Sequence, residues 1–146
     1  MPAKVTSAGE YASNLLKLIL QAVPYPNMAD NAATSPFTVL WVSLHTASPG
    51  ASGTQSTSEA TYGGYARVSV ARSAAGWTVT GNSVYPVAAI TFPAATSGSE
   101  TETYFGIGTS QSGVGHLLYF GPISPTIAVT AGVTPQILNT SSVTET

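Results

Sequence analysis

From residue 37 onward, no apolar run continues far before a glycine, proline or serine interrupts it. The chain holds 14 glycines and 10 prolines in 146 residues. Glycine accepts positive φ and proline fixes φ while removing a donor, so such punctuation forbids long helices over this region. Turn signals recur about every eight to twelve residues, and the runs between them are β-branched and aromatic. That pattern predicts an all-β chain of about eight short antiparallel strands, a β-sandwich or jelly roll. No solenoid or propeller repeat is present.

The first strand spans 37–45. Phe37, Val39, Trp41, Ser43 and His45 fall on one face, and Thr38, Leu40, Val42 and Leu44 on the other. Two largely apolar faces fit a strand inside packed structure rather than at a wet edge. Ser48-Pro49-Gly50 ends it. The 46–64 loop that follows has no apolar run, and loops of that length tend to be functional or mobile. Further strands are expected at 65–72, 77–80, 83–85, 87–92, 102–109, 116–120, 126–130 and 133–138. A hairpin is expected across Gly81-Asn82, and the last two strands are expected to pair through Ala131-Gly132. Gly106 and Gly108 mark a bulge or a close approach. Pro135 puts the final strand at an edge or bulge.

Only the segment before residue 37 differs. Ser7 and Glu10 fit a capping box, so a helix is expected from about Ala8. Tyr11, Leu15, Leu18 and Ala22 share a helical face, and Pro24 and Pro26 end the helix. The expected organisation is an arm, helix and loop over 1–36, a β domain over 37–140 and a polar tail over 141–146. The arm, Met1, Pro2, Ala3, Lys4, Val5 and Thr6, is too short to reach its own core and is a candidate contact with a partner subunit.

Charged residues make up 7% of the chain, against roughly 25% in average soluble proteins. A surface built from Thr, Ser, Ala, Gly, Gln and Asn suits a chain packed into an assembly, with few charges to desolvate. A secreted β domain is the other home for such a surface. The four basic residues, Lys4, Lys17, Arg67 and Arg72, form no patch that neutralises phosphates, so nucleic acid is not an expected partner. The longest apolar run, residues 15–23, contains Lys17 and Gln21 and is too short to span a bilayer, so no membrane is expected. Its flanks do not fit a signal peptide, and it reads as mature sequence. There is no cysteine, which removes disulfides and thiolate chemistry.

No catalytic constellation stands out, and the chain does not read as an enzyme. His45 and His116 each sit in an expected strand beside apolar residues and read as structural. Glu100 and Glu102 share a strand face but lie by a Ser/Thr/Gly loop and read as solvated, without the opposed partner that glycosidase chemistry needs. Ser43 lacks the glycine framework of a nucleophile elbow. Tyr62-Gly63-Gly64-Tyr65 lacks the lysine and helix of a phosphate loop. No metal or cofactor is expected. Glu59 and Arg67 flank the long loop and are expected to pair. With Tyr62 and Tyr65 they are candidate interface residues, where such a pair would fix geometry.

Leu40-Trp41-Val42-Ser43-Leu44-His45-Thr46-Ala47-Ser48-Pro49-Gly50, then Gly53-Thr54-Gln55, Glu59 and Tyr62-Gly63-Gly64-Tyr65-Ala66-Arg67-Val68, resembles a family of small tailed-bacteriophage virion proteins. In that family an aspartate usually stands where this chain has Ser48, and serine retains a capping oxygen. The resemblance continues through Ala74-Ala75-Gly76-Trp77, Ala89-Ile90-Thr91-Phe92-Pro93, Tyr104-Phe105-Gly106-Ile107-Gly108, Leu117-Leu118-Tyr119 and Gly132-Val133-Thr134-Pro135-Gln136. Members often carry a tail-fibre label and also resemble jelly-roll capsid cement, or decoration, proteins. The resemblance implies a virion structural protein made in the bacterial cytoplasm. The expected role is a homotrimeric cement protein bound to the major capsid protein on the outer capsid surface. The alternative is a tail-fibre or tail-tip receptor-binding protein, with exposed aromatics on the 46–64 loop.

Overall fold

The computed structural model of the chain describes residues 10–24 and 36–145. The arm Met1–Thr6, Ser7 of the expected capping box and residues 25–35 lie outside the described residues. One helix, α1 (Glu10–Gln21), precedes nine strands: β1 (Val39–His45), β2 (Val68–Ala71), β3 (Trp77–Thr80), β4 (Ser83–Pro86), β5 (Ile90–Thr91), β6 (Ser99–Gly108), β7 (Leu117–Thr130), β8 (Gln136–Ile137) and β9 (Val143–Thr144). The fold is all-β, with α1 the one helix among the described residues. The strands form sheets ordered β2-β1-β6-β7, β3-β4-β9 and β5-β8. Two compact units interleave along the sequence, one of 1–38, 71–89 and 138–146, the other of 39–70 and 90–137.

In the first unit α1 packs on β3 and β4. Leu16 and Leu20 are four apart, so they share one helix face. Both are buried, as are Trp77 and Val84 of the sheet. The hairpin across Gly81-Asn82 forms, with Thr80 opposite Ser83 and Gly81 at φ 60°. The helix has no basic residue in its last turn. Arg72 supplies the missing cation from outside it, donating from Nε to the Ile19 carbonyl (2.6 Å) and from Nη2 to that of Leu18 (2.6 Å). These are carbonyls that a helix C-terminus leaves without internal partners. Beyond them Ala22 takes a left-handed conformation (φ 57°), and the chain leaves the helix.

The polar tail adds β9 to β4, pairing Ser83 with Thr144 and Val84 with Val143. Asn82 secures this edge, its side chain donating to the Glu145 carbonyl (2.9 Å).

The second unit is built on β1 and β6. Their register sets Val42 opposite Ile107 and Leu44 opposite Phe105. Leu40, Val42, Leu44 and Ile107 are buried, with Phe92, Ala95 and Val129 completing the core. Two expectations are corrected here. The strands expected at 116–120 and 126–130 are one continuous strand, β7, which begins at Leu117 and in which Pro122 is tolerated because an edge strand needs no donor on its outer side. The chain beyond Gly132 does not fold back on β7. It turns to residues 90–95, where Phe92 N–H donates to the Pro135 carbonyl (2.9 Å) and Ala95 N–H to that of Val133 (2.8 Å). β5 and β8 then pair Ile90 with Ile137.

Replacing Arg72 with Ala leaves the Leu18 and Ile19 carbonyls without their charged donor. The expected loss is about 1–3 kcal/mol, measured by thermal unfolding, with faster amide exchange in α1.

Candidate functional site

The 46–64 loop folds back on the end of β1. Thr46 N–H donates to the Ser58 carbonyl (2.9 Å) and Ala60 N–H to that of Leu44 (2.9 Å). His45 and Glu59 form an isolated bridge. The Ser48 hydroxyl accepts from Gly50 N–H (3.3 Å), so serine holds the turn where the resembling family has aspartate. Gly63 exchanges hydrogen bonds with the 96–97 backbone (2.9 and 2.8 Å). The loop is therefore fastened at several points along its length, not a free excursion.

Its inner anchor is Gln55, which has no solvent exposure. Its backbone N–H donates to Val114 (3.0 Å) and its Oε1 accepts from Ser110 N–H (2.9 Å). A Cβ at Gly108 or Gly115 would collide with the Gln55 side chain, and one at Gly106 would come within 2.7 Å of His45 Nε2. The glycines of Phe105-Gly106-Ile107-Gly108 are thus close-approach positions, and the ladder shifts register between Ile107 and Gly108.

His45 is buried, with both ring nitrogens occupied. Nδ1 lies 2.8 Å from the Thr57 carbonyl, which only accepts, so Nδ1 carries the proton. Nε2 then accepts from the Ser43 hydroxyl (2.9 Å). Burial lowers the His45 pKa, and the bond to Thr57 and the charge on Glu59 partly offset it. Ser43 and His45 have the contact of a nucleophile and base but no solvent exposure, so substrate has no route to them. His116 lies just before β7 and is exposed.

Beside His45 lies the expected ion pair. Arg67 grips Glu59 with two parallel bonds, Nε to Oε1 (2.6 Å) and Nη2 to Oε2 (2.7 Å). It also donates to the Ser110 (2.9 Å) and Gly113 (2.6 Å) carbonyls. The Tyr65 hydroxyl donates to Glu59 (2.9 Å) and accepts from Leu44 N–H (3.1 Å). Burial, with Glu59 alongside, drives its pKa far up. Arg67 is 6% exposed and Tyr62 3%. Tyr62 packs edge-on against Tyr65 (5.3 Å between centroids), and Tyr65 stacks with Phe92 (6.4 Å). Glu59, Tyr62, Tyr65 and Arg67 therefore come together inside their own unit.

Glu100 and Glu102 are not on a solvated loop. Both lie on β6, and Glu102 has no solvent exposure. Glu100 accepts from the N–H groups of Thr61 and Tyr62 (2.8 Å each) and from the Thr61 hydroxyl (3.0 Å). Burial alone would raise its pKa, but these donors outweigh it and hold it below the ordinary value. Glu102 has no donor among the described residues. Burial first, and then the neighbouring Glu100 carboxyl group, push it up to about 8. At neutral pH its protonated form is therefore the favoured one. The same surroundings push Tyr62 up to about 12, chiefly through burial. The strand expected at 102–109 begins earlier, at Ser99, so both glutamates fall inside it.

Among the described residues, no group of three or more His, Asp or Glu side chains is placed to hold a metal ion. No helix there is long and apolar enough to cross a membrane. The four formally charged residues of the second unit, Glu59, Arg67, Glu100 and Glu102, are all buried or half-buried, so its surface carries no fully exposed charge.

A family model described as Gp80, podophage GP4 fiber I protein gp80, matches residues 18–144. The match covers most of the chain, and the chain belongs to this family of tailed-phage virion structural proteins. No curated protein matches it.

Two measurements probe this site. Glu59→Ala strands the Arg67 charge in the interior, with an expected loss of about 3–5 kcal/mol. Arg67→Ala should cost a similar amount, and the double variant much less than the sum, in a denaturant double-mutant cycle. Glu102 should make folding pH-dependent. Unfolded, it ionises near 4.5; folded, at about 8. Its favourable contribution is full below the unfolded value and falls away as pH rises to the folded one. Glu100 has the opposite sign, its contribution being present above the ordinary value and lost as pH drops through its lowered one. Glu102→Gln removes this titration. It should equal the parent near pH 4.5 and exceed it by about 4 kcal/mol at pH 8, read as the difference between the two unfolding profiles.

Proposed function

We propose that this chain is a homo-oligomeric fibre subunit of a tailed-phage virion, built for assembly and attachment rather than catalysis. The family match over residues 18–144, with its fibre description, carries this reading. The architecture supports it. The one Ser–His contact is sealed, and the charged groups of the second unit are spent on internal ties. A surface of hydroxyls, amides and small apolar groups packs against neighbours without desolvating ions. Repetition of such subunits multiplies weak contacts with a host surface, through effective concentration rather than single-site affinity.

Receptor contact through aromatics on the 46–64 loop finds no support, because its one aromatic, Tyr62, is buried. A contact there would use the exposed loop hydroxyls of Ser48, Ser52, Ser56 and Ser58.

A second reading, a trimeric cement protein on the outer capsid surface, is favoured by the low charge and by the absence of heptads or repeated β units of a shaft. Its partner would be the major capsid protein. It would stabilise the expanded shell by binding that state and not the free subunits.

Copy number per virion separates the two, measured by quantitative mass spectrometry against the major capsid protein. A fibre subunit gives a small number of copies, with antibody label at the tail. Near parity with the capsid protein, with label over the shell, overturns the fibre reading in favour of cement.

A further inference from the structure

Strand β7 runs 14 residues along the edge of its sheet, roughly 46 Å at the usual rise. Only Val129 of the 14 is buried. Among the described residues, three of the seven exposed large apolar side chains fall between positions 114 and 120: Val114 (65%), Leu118 (41%) and Phe120 (38%). Phe120 stands opposite Gly106, which carries no side chain of its own.

Long edge strands on free-standing proteins are normally blunted by charge, by shortness or by proline. β7 is not short, and it contains no Asp, Glu, Lys or Arg. Its safeguards are Pro122 and Pro125, which lack a donor and interrupt a continuous ladder with another strand. They do nothing to prevent packing through side chains.

We propose that the β7 strip, centred on Leu118 and Phe120, is the surface by which a second copy of this chain binds. The contact is side chain to side chain between like strips. Charge selects this occupant. A partner carrying ions would desolvate them against β7 with no counter-charge in return, whereas an identical strip brings none. Area fits as well. A strip of that length and ~10 Å wide offers on the order of 500 Å² on one face. With the flanking 110–115 turn it approaches the roughly 800 Å² per partner of a stable interface. The setting in a virion assembly rests on the fibre reading above, but the surface does not.

The test is the solution mass of the full chain by light scattering, alongside Leu118→Glu/Phe120→Glu and the control Ser142→Glu, at an exposed position outside the strip. The parent and the control should be oligomers. The double variant should keep its far-UV circular dichroism and dissociate, its midpoint rising roughly 100-fold in concentration. Because the chain has no cysteine, a single Thr126→Cys gives a second measurement that leaves the apolar residues untouched. Mild oxidation should join it into covalent dimers, and should not join Ser142→Cys. A monomeric parent overturns the proposal. So does an oligomer that the double variant leaves intact, or equal cross-linking from both cysteines. If the double variant misfolds, the cysteine pair alone decides. Copy number in the virion is independent of all these results, so failure of the fibre reading and failure of this surface are seen separately.

Discussion

The Arg67 guanidinium holds together segments that lie far apart in the chain. Its bonds reach Glu59 across the long loop and the carbonyls of Ser110 and Gly113 in the turn before β7. A guanidinium taken out of water is costly unless its donors are met, so these partners are satisfied together or not at all. Tyr65 extends the same logic, joining Glu59 to the backbone of β1 and stacking on Phe92 of the core. The loop thereby becomes part of the folded unit, and its conformation is set by polar contacts where apolar ones are lacking. Gln55 needs Gly108 and Gly115 beside it for the same reason, because buried polar side chains demand a particular backbone surface around them.

Much of this was legible in the residues. The strand at 77–80 and the Gly81-Asn82 hairpin follow from local turn chemistry, and the helix from its apolar spacing and terminal prolines. The Glu59–Arg67 pairing was visible because so few charges are available to pair. Long-range partnering was not visible. β7 reads as two strands because Gly121-Pro122 is a break by local rules, and only its place at a sheet edge removes the need for a donor there. The 133–138 segment pairs with 90–95 instead of with its sequence neighbour, a choice made by packing. Glu102 was the sharpest surprise. A glutamate beside a Ser/Thr/Gly loop is ordinarily solvated, and its burial depends on Thr61 and Tyr62 arriving from across the fold to satisfy Glu100.

The second unit inverts the usual arrangement of a soluble protein. Its carboxylates and guanidinium lie within, and its outer faces are hydroxyls, amides and apolar groups. An isolated molecule gains little from this. Membership of a tailed-phage virion structural family gives it a context. Among the described residues the same plainness extends to β7, an edge strand without a charged residue.

Ions kept inside also alter how such a body meets its surroundings. Dissolved salt acts on exposed charge, and its screening distance shrinks from roughly 10 Å at 0.1 M to about 3 Å at 1 M. A surface without exposed ions gives that screening nothing to work on, and a pair as enclosed as Glu59–Arg67 feels little of it. The outer face of this unit is therefore much the same in dilute solution as in concentrated salt.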